Sequence, residues 1–234
     1  MTQRRIGIYG GSFDPIHLGH LLIAEQFLND MQLDVVRFIP TKISPFKQGY
    51  TPTSDKHRLE MLKLAIGAHP RFELDPIEIE RGGVSYTIDT VKAYQETEPT
   101  AQLYLLIGAD SLKDFRKWKS PETLLDLVQL VVARRGGMPE PDWRELEGLL
   151  SKERLEASQQ LKLDVPAIEI SSKDVRKRLE EGRTIRYLVP APVEVPTTTE
   201  SEVLHDVVPA VHEETAVGEA SPPATPEDTV AEKP

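Results

Sequence analysis

Short, mainly apolar runs that lack strict alternation recur along the chain, and stretches of helical spacing separate them. Residues 5–9 (RIGIY), 35–39 (VVRFI), 103–107 (LYLLI) and 129–133 (QLVVA) are the clearest runs. Residues 72–74 and 166–170 read as shorter strands, and 77–80 as a further strand piece. A strand that is apolar on both sides must be covered on both faces, which is the state of a parallel strand flanked by crossover helices. The spacing of Leu21, Leu22, Ala24 and Leu28 predicts a helix over 19–29. Ser54 or Asp55 can cap a second, whose face is Leu59, Leu62, Ala65 and Ile66. Further helices are expected over 87–97, 111–118, 121–127, 143–160, 172–180 and 184–188. The fold class that follows is α/β: a doubly wound, mostly parallel sheet with helices on both faces.

Charge divides the chain in two. Residues 191–234 hold ten acidic residues, one lysine and seven of the 19 prolines, with no aromatic residue. Such a stretch cannot bury enough apolar surface to offset its ordering entropy. A catalytic domain over 1–193 and a disordered acidic tail over 194–234 are therefore expected. The remaining body is nearly neutral, so the formal charge of −10 belongs to the tail. Nothing in that balance points to a nucleic-acid surface. The chain has no cysteine, which excludes disulfides, thiolate catalysis and cysteine-held metals. No apolar run approaches membrane length, and the apolar stretch after Arg5 is too short for a signal-peptide core. The expectation is a soluble cytoplasmic protein, with assembly into homo-oligomers left open.

In doubly wound sheets ligands sit beyond the carboxyl ends of the strands. The loop after the first strand reads Gly10-Gly11-Ser12-Phe13-Asp14-Pro15-Ile16-His17-Leu18-Gly19-His20. It is neither a dinucleotide fingerprint nor a P-loop. Its glycines allow a backbone to approach a ligand, and its two histidines open a helix, where free amides and the positive helix end suit a phosphate. The same pair could serve as capping residues or hold a metal, although no third ligand is spaced to join them. On residues alone this is a phosphate-binding loop.

The string GGSFDPIHLGH resembles the signature of the HxGH nucleotidylyltransferase superfamily. Residues 40–47, Ser85 to Thr90 (SYTIDT), Gly108-Ala109-Asp110 with Trp118, Ser171-Ser172 with Arg176, and Tyr187-Leu188-Val189-Pro190 resemble the bacterial nicotinate-nucleotide adenylyltransferases. The resemblance runs from residue 6 to about 193. It implies a Rossmann-like fold and transfer of the adenylyl group of ATP to the 5′-phosphate of nicotinate mononucleotide. The products are deamido-NAD and pyrophosphate, and Mg2+ is required. By the same resemblance His17, His20, Lys47 and Arg176 handle the phosphates of ATP. Gly10, Gly11, Ser12, Phe13, Gly19, Gly108, Asp110, Ser171 and Ser172 line the nucleotides. Ser85, Tyr86 and Thr87 meet the nicotinate carboxylate, and Trp118 stacks on its ring. No protein-held metal is implied.

Three positions depart from the pattern: Phe46 where many members have histidine, Lys173 where threonine is common, and Asp114 where some carry tyrosine. An enzyme preferring nicotinamide mononucleotide would share every phosphate-binding residue. Phosphopantetheine adenylyltransferases and cytidylyltransferases share less, and an inactive binding module would have no use for all four phosphate-handling residues.

Overall fold

A computed structural model describes residues 3–46 and 51–194. The chain runs β1 (Arg5–Gly11), α1 (Leu18–Asp30), β2 (Val35–Pro40), α2 (Asp55–Ile66), β3 (Phe72–Leu74), α3 (Ile77–Arg81) and α4 (Thr87–Thr97). It continues through β4 (Gln102–Gly108), α5 (Ala109–Leu112), α6 (Pro121–Leu127), β5 (Gln129–Arg135), α7 (Lys152–Gln160), β6 (Leu163–Val165) and α8 (Ser172–Glu180). The six strands form one sheet in the order β3-β2-β1-β4-β5-β6, and every pair is parallel. The order reverses between β1 and β4, which opens the crevice where such sheets bind ligands.

The unalternating strands are explained by two apolar layers. Tyr104, Leu106 and Val131 face α1, α2 and α8. Their neighbours Leu103, Leu105, Ile107, Leu130 and Val132 face α4, α5 and α6. Each central strand thus buries both sides. At Gly7 α1 and the turn after it press on β1: a Cβ there would lie 2.6 Å from Leu33 Cδ1 and 2.7 Å from Phe27 Cε1. Only a glycine lets the helix settle at that distance.

Several elements differ from the sequence expectation. Residues 77–80 are helical, within α3; Asp75 Oδ1 accepts from the Ile77 N–H at 3.0 Å, and Gly82, with φ of 72°, closes the turn. The last strand is Leu163–Val165, paired with β5, and residues 166–170 form no strand because Pro166 has no N–H to extend the ladder. The helix expected over 143–160 is interrupted: a 3-10 turn at Trp143–Leu146 precedes Gly148, with φ of 79°, and α7 begins only at Lys152. The helix expected over 111–118 resolves into four-residue α5 and a 3-10 turn at Phe115–Lys117. Residues 184–188 are a turn, with Tyr187 at φ of 65°. The buried side chain of Val193 ends the described core. The acidic stretch from 195 onward, and Lys47, lie outside the described residues. No described helix is long and apolar enough to cross a membrane.

Candidate active site

The loop from β1 to α1 is built around Phe13, whose ring is 1% exposed. It meets Tyr9 edge-on at 5.4 Å, His20 at 5.2 Å and Phe38 at 5.7 Å. A Cβ at Gly11 would press on the Phe13 ring at 3.1 Å, whereas Gly10 faces open space. The side chain of Phe13 is therefore a pillar under the loop, and the residue lines neither cavity at the switch point. Ser12, by contrast, lines the larger of the two cavities described below.

His17 and His20 cap α1 reciprocally. His17 Nδ1 accepts from the His20 N–H at 3.3 Å, and His20 Nδ1 accepts from the His17 N–H at 3.2 Å. The rings stack with centroids 3.6 Å apart. Both Nδ1 atoms are acceptors, so in each neutral ring the proton sits on Nε2. Burial, with the charge of Arg135 adding to it, lowers the His17 pKa from its usual value to about 4. At neutral pH His17 is thus an uncharged donor held in one tautomer. Gly19 makes room for this arrangement: a Cβ there would lie 3.1 Å from His17 Nδ1.

Distant parts of the chain brace the loop. Ser172 Oγ donates to the Pro15 carbonyl at 2.9 Å, and Arg176 Nη1 donates to the Asp14 carbonyl. The Leu18 N–H donates to the Leu188 carbonyl at 2.9 Å. Ser171 caps α8 by accepting from the Asp174 N–H at 3.1 Å. Lys173 is exposed. Asp14 itself is buried and accepts from the Thr53 N–H at 3.2 Å.

Sequence reasoning missed Arg58. Its side chain is fully buried, and it donates to the Ser12 carbonyl at 2.9 Å, the Thr53 carbonyl at 3.1 Å and Asp55 Oδ1 at 2.6 Å. Asp55 also pairs with Lys42. The signal was present: Arg58, Leu62 and Ile66 are the buried stripe of α2. A cation in that stripe must have buried partners.

Two cavities meet at the switch point. The smaller, about 180 Å³, is lined by His17, Gly19, His20, Gly108, Ile168 and Ile170 among others. Arg135, also missed from the sequence, is the one lysine or arginine in its wall among the described residues. The larger, about 450 Å³, is lined by Gly10, Gly11, Ser12, Phe46, Ser85, Tyr86, Thr87 and Trp118 among others. Tyr9, Leu106, Ile107 and Gly108 border both. Asp110 lines neither; its carboxylate is exposed and 3.8 Å from Lys113, while Ser111 faces the larger cavity instead. Asp114 pairs with Lys117 at 2.6 Å and also lies outside the wall.

The N-terminus of α4 opens on the larger cavity. Tyr86 and Thr87 begin it, and no side chain caps it. In the same wall, buried Glu78 accepts from Thr90 Oγ1 at 2.8 Å, and burial raises its carboxyl pKa. Ser85 Oγ accepts from the Lys42 N–H at 2.9 Å, which ties this turn to the loop after β2. Lys119 sits 4.6 Å over the Tyr86 ring and pairs with Asp89 at 2.9 Å. The arrangement offers two imidazole donors and the Arg135 guanidinium at one cavity, and an uncapped helix end with flat apolar walls at the other. It suits two anionic nucleotides brought together end to end.

Known proteins resemble the chain in the same sense. The cytidylyltransferase-like family model matches residues 8–178. A Rhodopirellula baltica protein named "Probable nicotinate-nucleotide adenylyltransferase" is 43% identical over 192 residues, covering 82% of this chain and 90% of that protein. The "Nicotinate-nucleotide adenylyltransferase" of Bacillus subtilis is 39% identical over 188 residues, covering 80% and 92%. Among solved structures, Plasmodium falciparum nicotinic acid mononucleotide adenylyltransferase complexed with NaAD matches with a TM-score of 0.61 at 21% identity. That match covers 82% of this chain and 93% of the other and speaks for the fold. The chain belongs to the nicotinate-nucleotide adenylyltransferases, enzymes of the cytidylyltransferase-like family.

Proposed function

We propose that the protein transfers the adenylyl group of ATP to the 5′-phosphate of nicotinate mononucleotide, releasing pyrophosphate and forming deamido-NAD. The observation that carries this is the junction of the two cavities at Gly108, with the histidine pair in the wall of one and the α4 N-terminus in the wall of the other. The smaller cavity takes ATP and the larger takes the mononucleotide. The acceptor phosphate is already an anion, so the protein need only align it with the α-phosphorus and stabilise charge on the oxygens. His17 and His20 donate from Nε2 to the phosphates, and their locked tautomers mean that no proton must move first. Arg176 and Ser172 hold the loop that carries them through the Asp14 and Pro15 carbonyls, and the family pattern assigns Arg176 to the phosphates of ATP. Lys47 is assigned to the leaving pyrophosphate by its place in the family pattern.

Among the described residues no three His, Asp or Glu side chains converge on a cation cage. Magnesium brought in with ATP would offset the charge of the phosphates that His17, His20 and Lys47 are assigned to hold. The uncapped amides of α4 favour a carboxylate over a carboxamide, whose NH2 they would leave without an acceptor. The ATP that such a reaction consumes supports a cytoplasmic location.

The test is pyrophosphate release from ATP with nicotinate and nicotinamide mononucleotides run side by side. One mispaired buried amide is worth about 1–3 kcal/mol, so kcat/KM should favour the acid by about 5- to 150-fold. Preference for the amide would overturn the substrate assignment.

A further inference from the structure

Glu78 stands in the wall of a cavity that takes an anion, and no step of the transfer uses it. It is 7% exposed and lies on α3, while Ser85, Thr87 and Thr90 from the turn and helix that follow line the same wall. A buried carboxyl group is costly unless partners satisfy it. The partner here is Thr90 on α4, whose Oγ1 donates to Glu78 Oε1 at 2.8 Å. Arg81, one turn along α3, donates to the same Thr90 oxygen from Nη1 and Nη2, each at 3.2 Å. With both guanidinium nitrogens arriving at its oxygen, the single hydroxyl proton of Thr90 is directed at Glu78. Two side chains of α3 thus close on one hydroxyl of α4.

We infer that Glu78 is a positioning residue of the acceptor site: through Thr90 it sets the angle at which the open N-terminus of α4 meets the larger cavity. The inference rests on the acceptor assignment made above. The joint between α3 and α4 is Gly82-Gly83, with φ of 72° and 68°, and a Cβ at either would meet open space among the described residues. No packing on that side fixes the angle between the two helices, and glycine leaves the backbone free to vary it. The turn beyond is held to the loop after β2, where the Ser85 N–H donates to the Ile43 carbonyl at 2.9 Å and Ser85 Oγ accepts from the Lys42 N–H. Along α4, Asp89 pairs with Lys119 and the Tyr94 hydroxyl donates to Asp75. Of these ties only the bond from Thr90 to Glu78 is wholly buried, so water cannot take its place. Glu78, Ser85, Tyr86, Thr87 and Thr90 line the larger cavity and not the smaller, so the clasp acts on the acceptor and not on ATP.

The experiment uses the full chain. Steady-state kinetics give kcat and both KM values, calorimetry gives the Kd of nicotinate mononucleotide without ATP, and thermal unfolding checks that each variant is folded at the assay temperature. Glu78→Met keeps the length and removes the acceptor; Thr90→Val keeps the shape and removes the donor. A buried hydrogen bond of this kind is worth about tenfold, so each should raise Kd and KM for nicotinate mononucleotide about tenfold, with kcat and the KM for ATP within about twofold. The double variant should be no worse than either single one, since both break the same bond. Glu78→Gln and Thr90→Ser each keep a hydroxyl facing an oxygen and should stay within about threefold of wild type. If Glu78→Met does not fold, Thr90→Val with its serine rescue decides alone. An acceptor KM that stays put in Thr90→Val, or a rise shared equally by both substrates, would overturn the clasp while leaving the activity standing. If the unsubstituted enzyme prefers nicotinamide mononucleotide, the acceptor assignment fails, and the clasp is then judged by whether the same variants raise the KM of that ligand alone.

Discussion

Arg58 is the position at which structure and activity are most tightly joined. Replacing it by methionine keeps most of the side-chain length and removes three bonds, to Ser12, Thr53 and Asp55. The Ser12 and Thr53 carbonyls lose a charged donor beneath the loop, while Asp55 keeps Lys42. Removing one partner of a buried charged network costs about 3–5 kcal/mol. Asp55 is 26% exposed, so water recovers part of this and the lower end, about 3 kcal/mol, applies. At about 2–4 °C per kcal/mol for a domain of this size, Tm should fall by about 6–12 °C. The Ser12 backbone borders the larger cavity, so the KM for the nucleotides should rise as well. Thermal unfolding by circular dichroism and steady-state kinetics read both. Arg144→Ala is the control, because that arginine pairs with Asp142 on the surface, with 79% of its side chain exposed. A Tm for Arg58→Met within about 2 °C of wild type would refute the reading of Arg58 as a brace. Arg58→Lys keeps the charge but loses the fork, so it should recover only part of the loss.

Three further outcomes are expected. His17 stays neutral in the folded state down to a pKa of about 4, below the ordinary imidazole value, so the unfolded chain binds more protons between those limits. Stability should therefore fall as pH drops from about 6.5 to 4, by up to about 3 kcal/mol more than in His17→Asn, which keeps an N-cap but cannot titrate; equal slopes in urea unfolding would refute it. Gly19→Ala places a Cβ 3.1 Å from His17 Nδ1 and should cut kcat/KM at least about tenfold while Tm moves by only a few degrees, since the ring shifts and the core does not. Gly7→Ala meets Leu33 and Phe27 inside the packed α1 face and should do the reverse, losing about 1–3 kcal/mol of stability with kcat/KM preserved.

How much was legible in the residues depended on whether a local rule governed them. The central strands were readable because apolar runs such as 103–107 leave no other use for themselves, and the phosphate loop was readable because glycines and histidines cluster there. The boundaries failed where tertiary pairing decided. Residues 166–170 look as strand-like as 163–165, yet β5 offers partners only to the latter and Pro166 stops the ladder. Residues 77–80 alternate, but the side chain of Asp75 starts a helix there. Asp110 was placed at the site by its position after the central strand, and α5 turns it outward. Arg58 and Arg135 belong to no motif; their importance comes from what lies across the fold from them.

The loop of residues 10–20 is finished by the far end of the chain, through Ser172, Arg176 and Leu188. During synthesis the histidines emerge more than a hundred residues ahead of α8, long before the carbonyls they flank gain their last donors. The nascent polypeptide therefore carries its reactive loop unassembled until α8 and the turn behind it have cleared the ribosome. A truncated product that stops short of α8 keeps both histidines and the sheet, but lacks the Ser172, Arg176 and Leu188 contacts that fasten the loop in register.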